Sequence, residues 1–119
     1  MNDEKDLCVR TKAFARRVIR LYCALPKNEA VAQILGKQAL RSGTSIGANY
    51  REAYRAHSKA EFISKIGDCL KEADETWYWL ELLLEENILP TRQLQPLLAE
   101  ADELIAVLTT ISKRSKGLE

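Results

Sequence analysis

Apolar residues recur at three- and four-residue intervals along nearly the whole chain, and that spacing predicts four helices. The first covers about residues 6–25, where Leu7, Phe14, Val18, Leu21 and Leu25 make one narrow stripe joined by Ala15 and Tyr22. Pro26 ends it, because a residue before proline disfavours helical geometry. The third covers about residues 58–88, with a near-heptad stripe of Ile63, Ile66, Leu70, Ala73, Trp77, Leu80 and Leu84, widened by Phe62, Cys69, Thr76 and Leu83. Ser58 and Glu61 fit a capping box at its start. The fourth covers about residues 91–115, capped by Thr91, with Leu94, Leu97, Leu98, Ala101, Leu104, Ile105, Leu108 and Ile111 on one side.

The second helix, about residues 28–57 with Asn28 as its cap, has a less ordinary pattern. Its strongest apolar residues, Val31, Ile34, Leu35 and Ile46, share a side with Gln38, Arg41, Ser42, Ser45, Asn49 and Ala53, and that side is expected to face the core. Gly36, Gly43, Gly47 and Tyr54 fall along another line, with Tyr50 nearby. Glycine in a helix interior costs about 1 kcal/mol relative to alanine, so three aligned glycines imply a compensating close approach. This face is expected to pack tightly, either inside the bundle or against another copy.

Three short connections between four long helices force antiparallel neighbours, so the expected fold is all-α: one up-down-up-down four-helix bundle occupying residues 1–119. Composition agrees. Of 119 residues, 46% are hydrophobic and 29% charged, as in folded globular proteins, and only eight are Gly or Pro. No apolar run reaches membrane-spanning length, and the charged N-terminal residues lack a signal-peptide core. A cytoplasmic protein with no membrane association is expected. Cys8, Cys23 and Cys69 are widely spaced and read as reduced thiols.

The net charge of +1 hides an asymmetry: residues 1–60 carry 12 Lys/Arg against 5 Asp/Glu, and residues 61–119 carry 6 against 12. Arg10, Lys12, Arg16, Arg17 and Arg20 fall opposite the apolar stripe of the first helix, a face able to contact phosphates of RNA or the acidic third helix of a neighbouring subunit. The plain alternative is that the two halves neutralise one another within one bundle. No aromatic platform accompanies these arginines, so nucleic-acid binding would be electrostatic and weakly sequence-specific.

Catalytic chemistry is poorly supplied. His57 is the single histidine, which excludes a His-rich metal site within one chain, and no Glu-x-x-His motif is present for a di-iron bundle. No cofactor, metal or enzyme activity is expected. Arg51 followed by five residues and His57 resembles the short signature of the helical HEPN ribonucleases, a third and weaker reading.

The run from Arg41 to Asn49, Arg-Ser-Gly-Thr-Ser-Ile-Gly-Ala-Asn, resembles the 23S rRNA intervening-sequence proteins. So do Leu25-Pro26-Lys27, Glu61-Phe62, Lys65, Glu75-Thr76 and Trp79-Leu80, and the similarity extends from about Phe14 to Ile111. Tyr50-Arg51-Glu52-Ala53 departs from the Ile-Ala-Glu-Gly of many relatives but keeps Glu52. The resemblance implies a four-helix bundle forming a homopentameric ring, with no known catalysis. It also implies a fold similar to the accessory protein of diversity-generating retroelements, a more basic pentamer that binds nucleic acid and a reverse transcriptase. Among the matching residues, Arg41, Ser42, Ser45, Asn49 and Glu75 are expected to form a buried polar network. The leading expectation is a noncatalytic ring that scaffolds RNA; the alternative is a purely structural or protein-binding oligomer.

Overall fold

The computed structural model describes residues 3–118. Four helices follow one another: α1 (Asp3–Ala24), α2 (Ala30–Tyr54), α3 (Lys59–Glu85) and α4 (Thr91–Ser115). Each packs against the next, and α4 touches α1 more lightly to close the bundle. Gly36, Gly43 and Gly47 meet Leu25, Val18 and Thr11 in turn, Ser42 and Glu52 meet Thr76 and Lys65, and the start of α1 lies beside the end of α4, so α1–α2, α2–α3 and α1–α4 are antiparallel. The result is an elongated body of 46 × 23 × 23 Å.

Local chemistry sets the helix ends. Ser58 caps α3 by accepting from the Glu61 amide at 3.0 Å, as expected, but the Glu61 carboxylate reaches back to the amide of His57 at 2.9 Å rather than to that of Ser58. At the far end of α3, Asn87 adopts a positive φ of 56°, and the amides of Asn87 and Ile88 close onto the carbonyls of Leu84 and Leu83 at 3.0 Å each. This is a Schellman stop with asparagine in the left-handed position. The other two expected caps shift by one residue: Glu29, not Asn28, precedes α2, and Pro90, not Thr91, precedes α4, and neither side chain accepts a cap hydrogen bond. Proline suits the α4 site because its fixed φ leads into a helix and its own nitrogen has no proton to satisfy.

The core joins all four helices. Leu7, Phe14, Val18, Leu21 and Leu25 from α1 and its end are buried, as are Leu94, Leu97, Leu98, Ala101, Leu104 and Leu108 of α4, so both expected stripes face inward. On α3 the buried line runs through Ile66, Cys69, Ala73, Thr76, Leu80 and Leu83, placing the expected widening residues at its centre. Cys69 is enclosed there, its thiol donating to the Ile46 carbonyl at 3.6 Å.

The inward face of α2 corrects the sequence expectation. Ala32, Gly36, Ala39, Ser42, Gly43, Ile46, Tyr50 and Ala53 are buried, while Val31, Ile34 and Arg41 are exposed. The helix is turned by roughly a quarter revolution from the orientation that its large apolar residues suggest. The cause is the seam with α1. A Cβ on Gly43 would sit 2.9 Å from Val18 Cγ2, and one on Gly47 would sit 3.3 Å from the Thr11 carbonyl oxygen. At Gly36 a Cβ would run into the Leu25 side chain and the Tyr22 ring. Only a helix surface without side chains lets α1 come this close, and the resulting contact outweighs burial of two aliphatic residues elsewhere. The hydroxyl of Tyr22 then donates to Gln33 Oε1 at 2.9 Å, and Gln33 Nε2 donates to the Pro26 carbonyl at 3.0 Å, tying the α1–α2 turn shut.

Two expected outcomes follow from this packing. Val18 is β-branched and stiff, so Gly43→Leu overpacks the seam and lowers stability by about 1–3 kcal/mol. Gly67 on α3 has open space around its Cα, so Gly67→Ala raises stability by about 0.5–1 kcal/mol. Urea titrations of the two variants measure both, and a Gly43→Leu protein as stable as its parent contradicts the tight seam. Burial, reinforced by the charge of Asp68, pushes the Cys69 thiol up to about 12, whereas Cys23 is exposed. Alkylation near pH 8 therefore labels Cys23 in the native protein and Cys69 only after denaturation, a difference of roughly 100-fold or more in rate. Rapid native labelling of Cys69 contradicts the α2–α3 packing.

Candidate nucleic-acid interface

The basic residues of α1 divide into two groups. Arg10 turns toward α4, where Nε donates to Glu100 Oε2 at 2.7 Å, one terminal nitrogen donates to Glu100 Oε1 at 2.9 Å, and the same nitrogen lies 2.9 Å from Glu103 Oε1. The fork of a guanidinium matched to a carboxylate makes this a strong form of ion pair, and it holds the Arg10 pKa above its ordinary value, chiefly through Glu100. Arg17 is half-buried on the same flank, beside Leu21 and Gln93. Lys12, Arg16 and Arg20 point outward and, among the described residues, enter no ion pair. The expected five-residue face is thus divided: Arg10 is paired with α4, Arg17 and Arg20 line the groove beside Gln93, Pro96 and Leu97 of α4, and Lys12, Arg16 and Arg20 are exposed and in no ion pair among the described residues.

At one end of the bundle, the outer side of α1 runs into a cleft of about 700 Å³. Ala15, Gly47 and Ala48 contribute its small lining, and Lys12, Arg51, Arg55, His57 and Lys65 bring basic groups from α1, α2, the following turn and α3. Both acids of the cleft are engaged. Glu52 accepts from Lys65 Nζ at 2.6 Å, which also raises the Lys65 pKa, and Glu61 is occupied at the α3 start. Arg51 and His57 form a motif in the sequence and Lys12 belongs to a stripe, whereas Arg55 and Lys65 join them only in the fold. Helical spacing places Arg55 one turn after Arg51; the contribution of α3 depends on the antiparallel register and had no local signal.

The expected buried polar network is mostly a surface cluster. Arg41 remains 51% exposed and pairs with Glu72 at 3.4 Å and with Glu75. Glu75 also accepts from Trp79 Nε1 at 3.2 Å, and that bond, followed by Arg41, holds its carboxyl below the usual range. The buried polar link is instead Ser42 with Thr76: Thr76 Oγ1 donates to Ser42 Oγ at 2.8 Å, with the Glu72 carbonyl as an alternative acceptor, and Ser42 donates to the Gln38 carbonyl at 3.0 Å. Ser45 bonds only to the Arg41 carbonyl of its own helix, and Asn49 is half-buried without joining the set. The reason is the rotation of α2, which swings Arg41 and Ser45 out.

The same rotation assigns the glycine face. Gly36, Gly43 and Gly47 meet α1 of the same chain, and Tyr50 is fully buried, so this is an internal close-packing face; Tyr54 lies at its exposed end. Large apolar groups are exposed at Val9 and Ile19 of α1, among its outward basic residues, at Val31 and Ile34 of α2, at Leu118, and at Tyr78 of α3, whose ring packs edge-on against Trp79 at 5.1 Å. Among the described residues no group of His, Cys, Asp and Glu is placed to hold a metal, and no helix is long and apolar enough to cross a membrane.

Residues 4–110 match the model of the family described as 23S rRNA-intervening sequence protein. The chain is also similar to a crystal structure from Bacteroides thetaiotaomicron, described as a protein with unknown function from the S23 ribosomal protein family. That similarity has 41% identity and a TM-score of 0.86, covering 94% of this chain and 99% of the other. No curated protein matches. With nearly the whole fold covered by the family model, the chain belongs to the 23S rRNA-intervening sequence protein family.

Proposed function

We propose that this protein is a noncatalytic, cytoplasmic scaffold that assembles with copies of itself, in the pentameric ring suggested by the family resemblance, and binds RNA through basic groups of α1. The observation that carries the RNA reading is the division of the arginines: Arg10 is consumed by α4, whereas Lys12, Arg16 and Arg20 remain outward and unpaired among the described residues. Free cations on a rigid helix concentrate phosphates and release their counterions. No aromatic side chain stands among them, so recognition is of backbone charge rather than base identity.

Self-association is supported by a different surface. Val31 is 53%, Ile34 62% and Tyr78 51% exposed. The register set by Ser42 with Thr76 and Glu52 with Lys65 brings the start of α2 level with the last turns of α3, where Trp79 and Leu82 are half-buried. Aliphatic and aromatic side chains left facing water on adjoining helices are the kind of surface that a second copy covers.

Arg51 and His57 line one cleft within a single chain, whereas the ribonuclease reading places the pair at a cleft between two copies. That reading predicts RNA cleavage abolished by His57→Ala; the scaffold reading predicts that a single-stranded RNA incubated with pure protein stays intact.

Fluorescence anisotropy with a labelled single-stranded RNA across a salt series tests the leading proposal. The expected result is affinity that falls steeply with salt and drops at least tenfold when Lys12, Arg16 and Arg20 become Ala, since each lost phosphate contact removes about 0.7 from the log–log salt slope. Absence of binding at low salt contradicts the RNA function. For assembly, native mass spectrometry is expected to show an oligomer that Ile34→Glu shifts toward monomer with little change in melting. A parent protein that is monomeric at micromolar concentration removes the ring.

A further inference from the structure

The cleft at the α2–α3 turn has a composition that the outer face of α1 lacks. We infer that it is a discrete phosphate-binding site, in which Arg51, Arg55 and Lys12 seat a phosphate group of an RNA strand that continues along Arg16 and Arg20. This deepens the RNA-binding reading and rests on it.

Three observations converge. The first is charge that has no internal destination. Lys12, Arg51, Arg55 and Lys65 face Glu52 and Glu61, a net of about two positive charges before His57 is counted. Lys65 holds Glu52 at 2.6 Å, and the Glu61 carboxylate, which accepts from the His57 amide, keeps its charge; Arg51, Arg55 and Lys12 are in no ion pair among the described residues and outnumber it. Cations brought close together repel one another, and a polyanion entering among them relieves that repulsion.

The second is room. Ala15, Gly47 and Ala48 put small side chains on the α1–α2 wall of the cleft, between the longer ones of Lys12, Arg51, Arg55, His57 and Lys65. The volume of about 700 Å³ falls within the range of small-molecule sites and accommodates a nucleotide-sized group. The third is rigidity of the donors' supports. Arg51 belongs to the last turn of α2 and Arg55 is its C-cap, while Lys12 stands on α1 beside the glycine seam. Two guanidinium forks four residues apart on one helix end offer paired N–H donors to the oxygens of a single phosphate, a geometry that a carboxylate satisfies less fully because it has only two oxygens.

The test compares two double variants that remove equal charge: Arg51→Ala with Arg55→Ala in the cleft, and Arg16→Ala with Arg20→Ala on the outer face. A third variant, Ala48→Phe, fills the cleft at an exposed position without altering charge. Each is titrated with the same single-stranded RNA, and the parent is also titrated with inorganic pyrophosphate while amide shifts are followed by NMR. The expected result is an affinity loss for the cleft pair at least tenfold larger than for the outer pair, a loss of at least fivefold for Ala48→Phe, and pyrophosphate shifts centred on residues 47–57. If both pairs lose affinity equally and Ala48→Phe is silent, binding follows a diffuse field; the cleft assignment is overturned while RNA binding stands. If the parent ignores RNA but pyrophosphate shifts residues 47–57, the RNA reading falls and a site for free phosphates remains. Displacement of RNA by an oligoglutamate peptide as readily as by pyrophosphate overturns phosphate selectivity in favour of an acidic protein ligand.

Discussion

The close approach of α1 to α2 is the constraint on which the other features depend. Gly36, Gly43 and Gly47 present bare backbone to Tyr22, Val18 and Thr11, and no larger residue fits at Gly43 without displacing a stiff side chain. Dispersion contacts are individually weak but numerous, and a seam this tight collects them along much of both helices. Once that seam is formed, the orientation of α2 is no longer free. Val31, Ile34, Arg41 and Ser45 are carried outward together, and Ser42 is carried in to meet Thr76. The exposed apolar patch, the surface position of the Arg41–Glu75 pair and the small-residue lining beside Gly47 are therefore three consequences of one packing decision.

Charge is arranged on top of that frame rather than setting it. The basic first half and acidic second half partly neutralise one another, as Arg10 with Glu100 and Glu103 and Arg41 with Glu72 and Glu75 illustrate. The more exposed Arg41 pairs contribute about 0–1 kcal/mol each, so they orient helices more than they hold them. Lys65 with Glu52 runs the other way, a cation of the acidic half paired with an anion of the basic half. That reversal neutralises one acid of the cleft, where Arg51, Arg55 and Lys12 then outnumber Glu61.

Much of this was legible in the sequence, and the exceptions share a cause. α1 and α4 bury the faces that the sequence predicts, because most of their large apolar residues fall in single stripes; Val9 and Ile19 of α1 lie off the stripe and are exposed. The Ser58 cap was legible because capping is local. α2 was placed correctly as a helix but turned wrongly, since ranking residues by hydrophobicity favours Val31 and Ile34 over glycine and alanine. Burial there depends on how near the partner helix can come, and the glycine line was the signal of that distance. The partners of Arg10 in α4 and the entry of Lys65 into the cleft depend on register between helices, which no window along one helix contains.

The two surfaces left without internal partners lie at opposite ends of α2. Ile34 and Arg51 are separated by 17 residues of continuous helix, about 25 Å at 1.5 Å per residue, in a body 46 Å long. A copy seated on the apolar end would thus leave the basic cleft open to solvent. In the proposed ring the apolar patch of one copy meets a different surface of the next, and each subunit carries one cleft. Several weak phosphate sites held on one rigid body raise the effective concentration of each for the same strand. The weak sequence selectivity of bare electrostatic contacts is then compatible with tight binding, because affinity would come from the number and spacing of clefts rather than from any one of them.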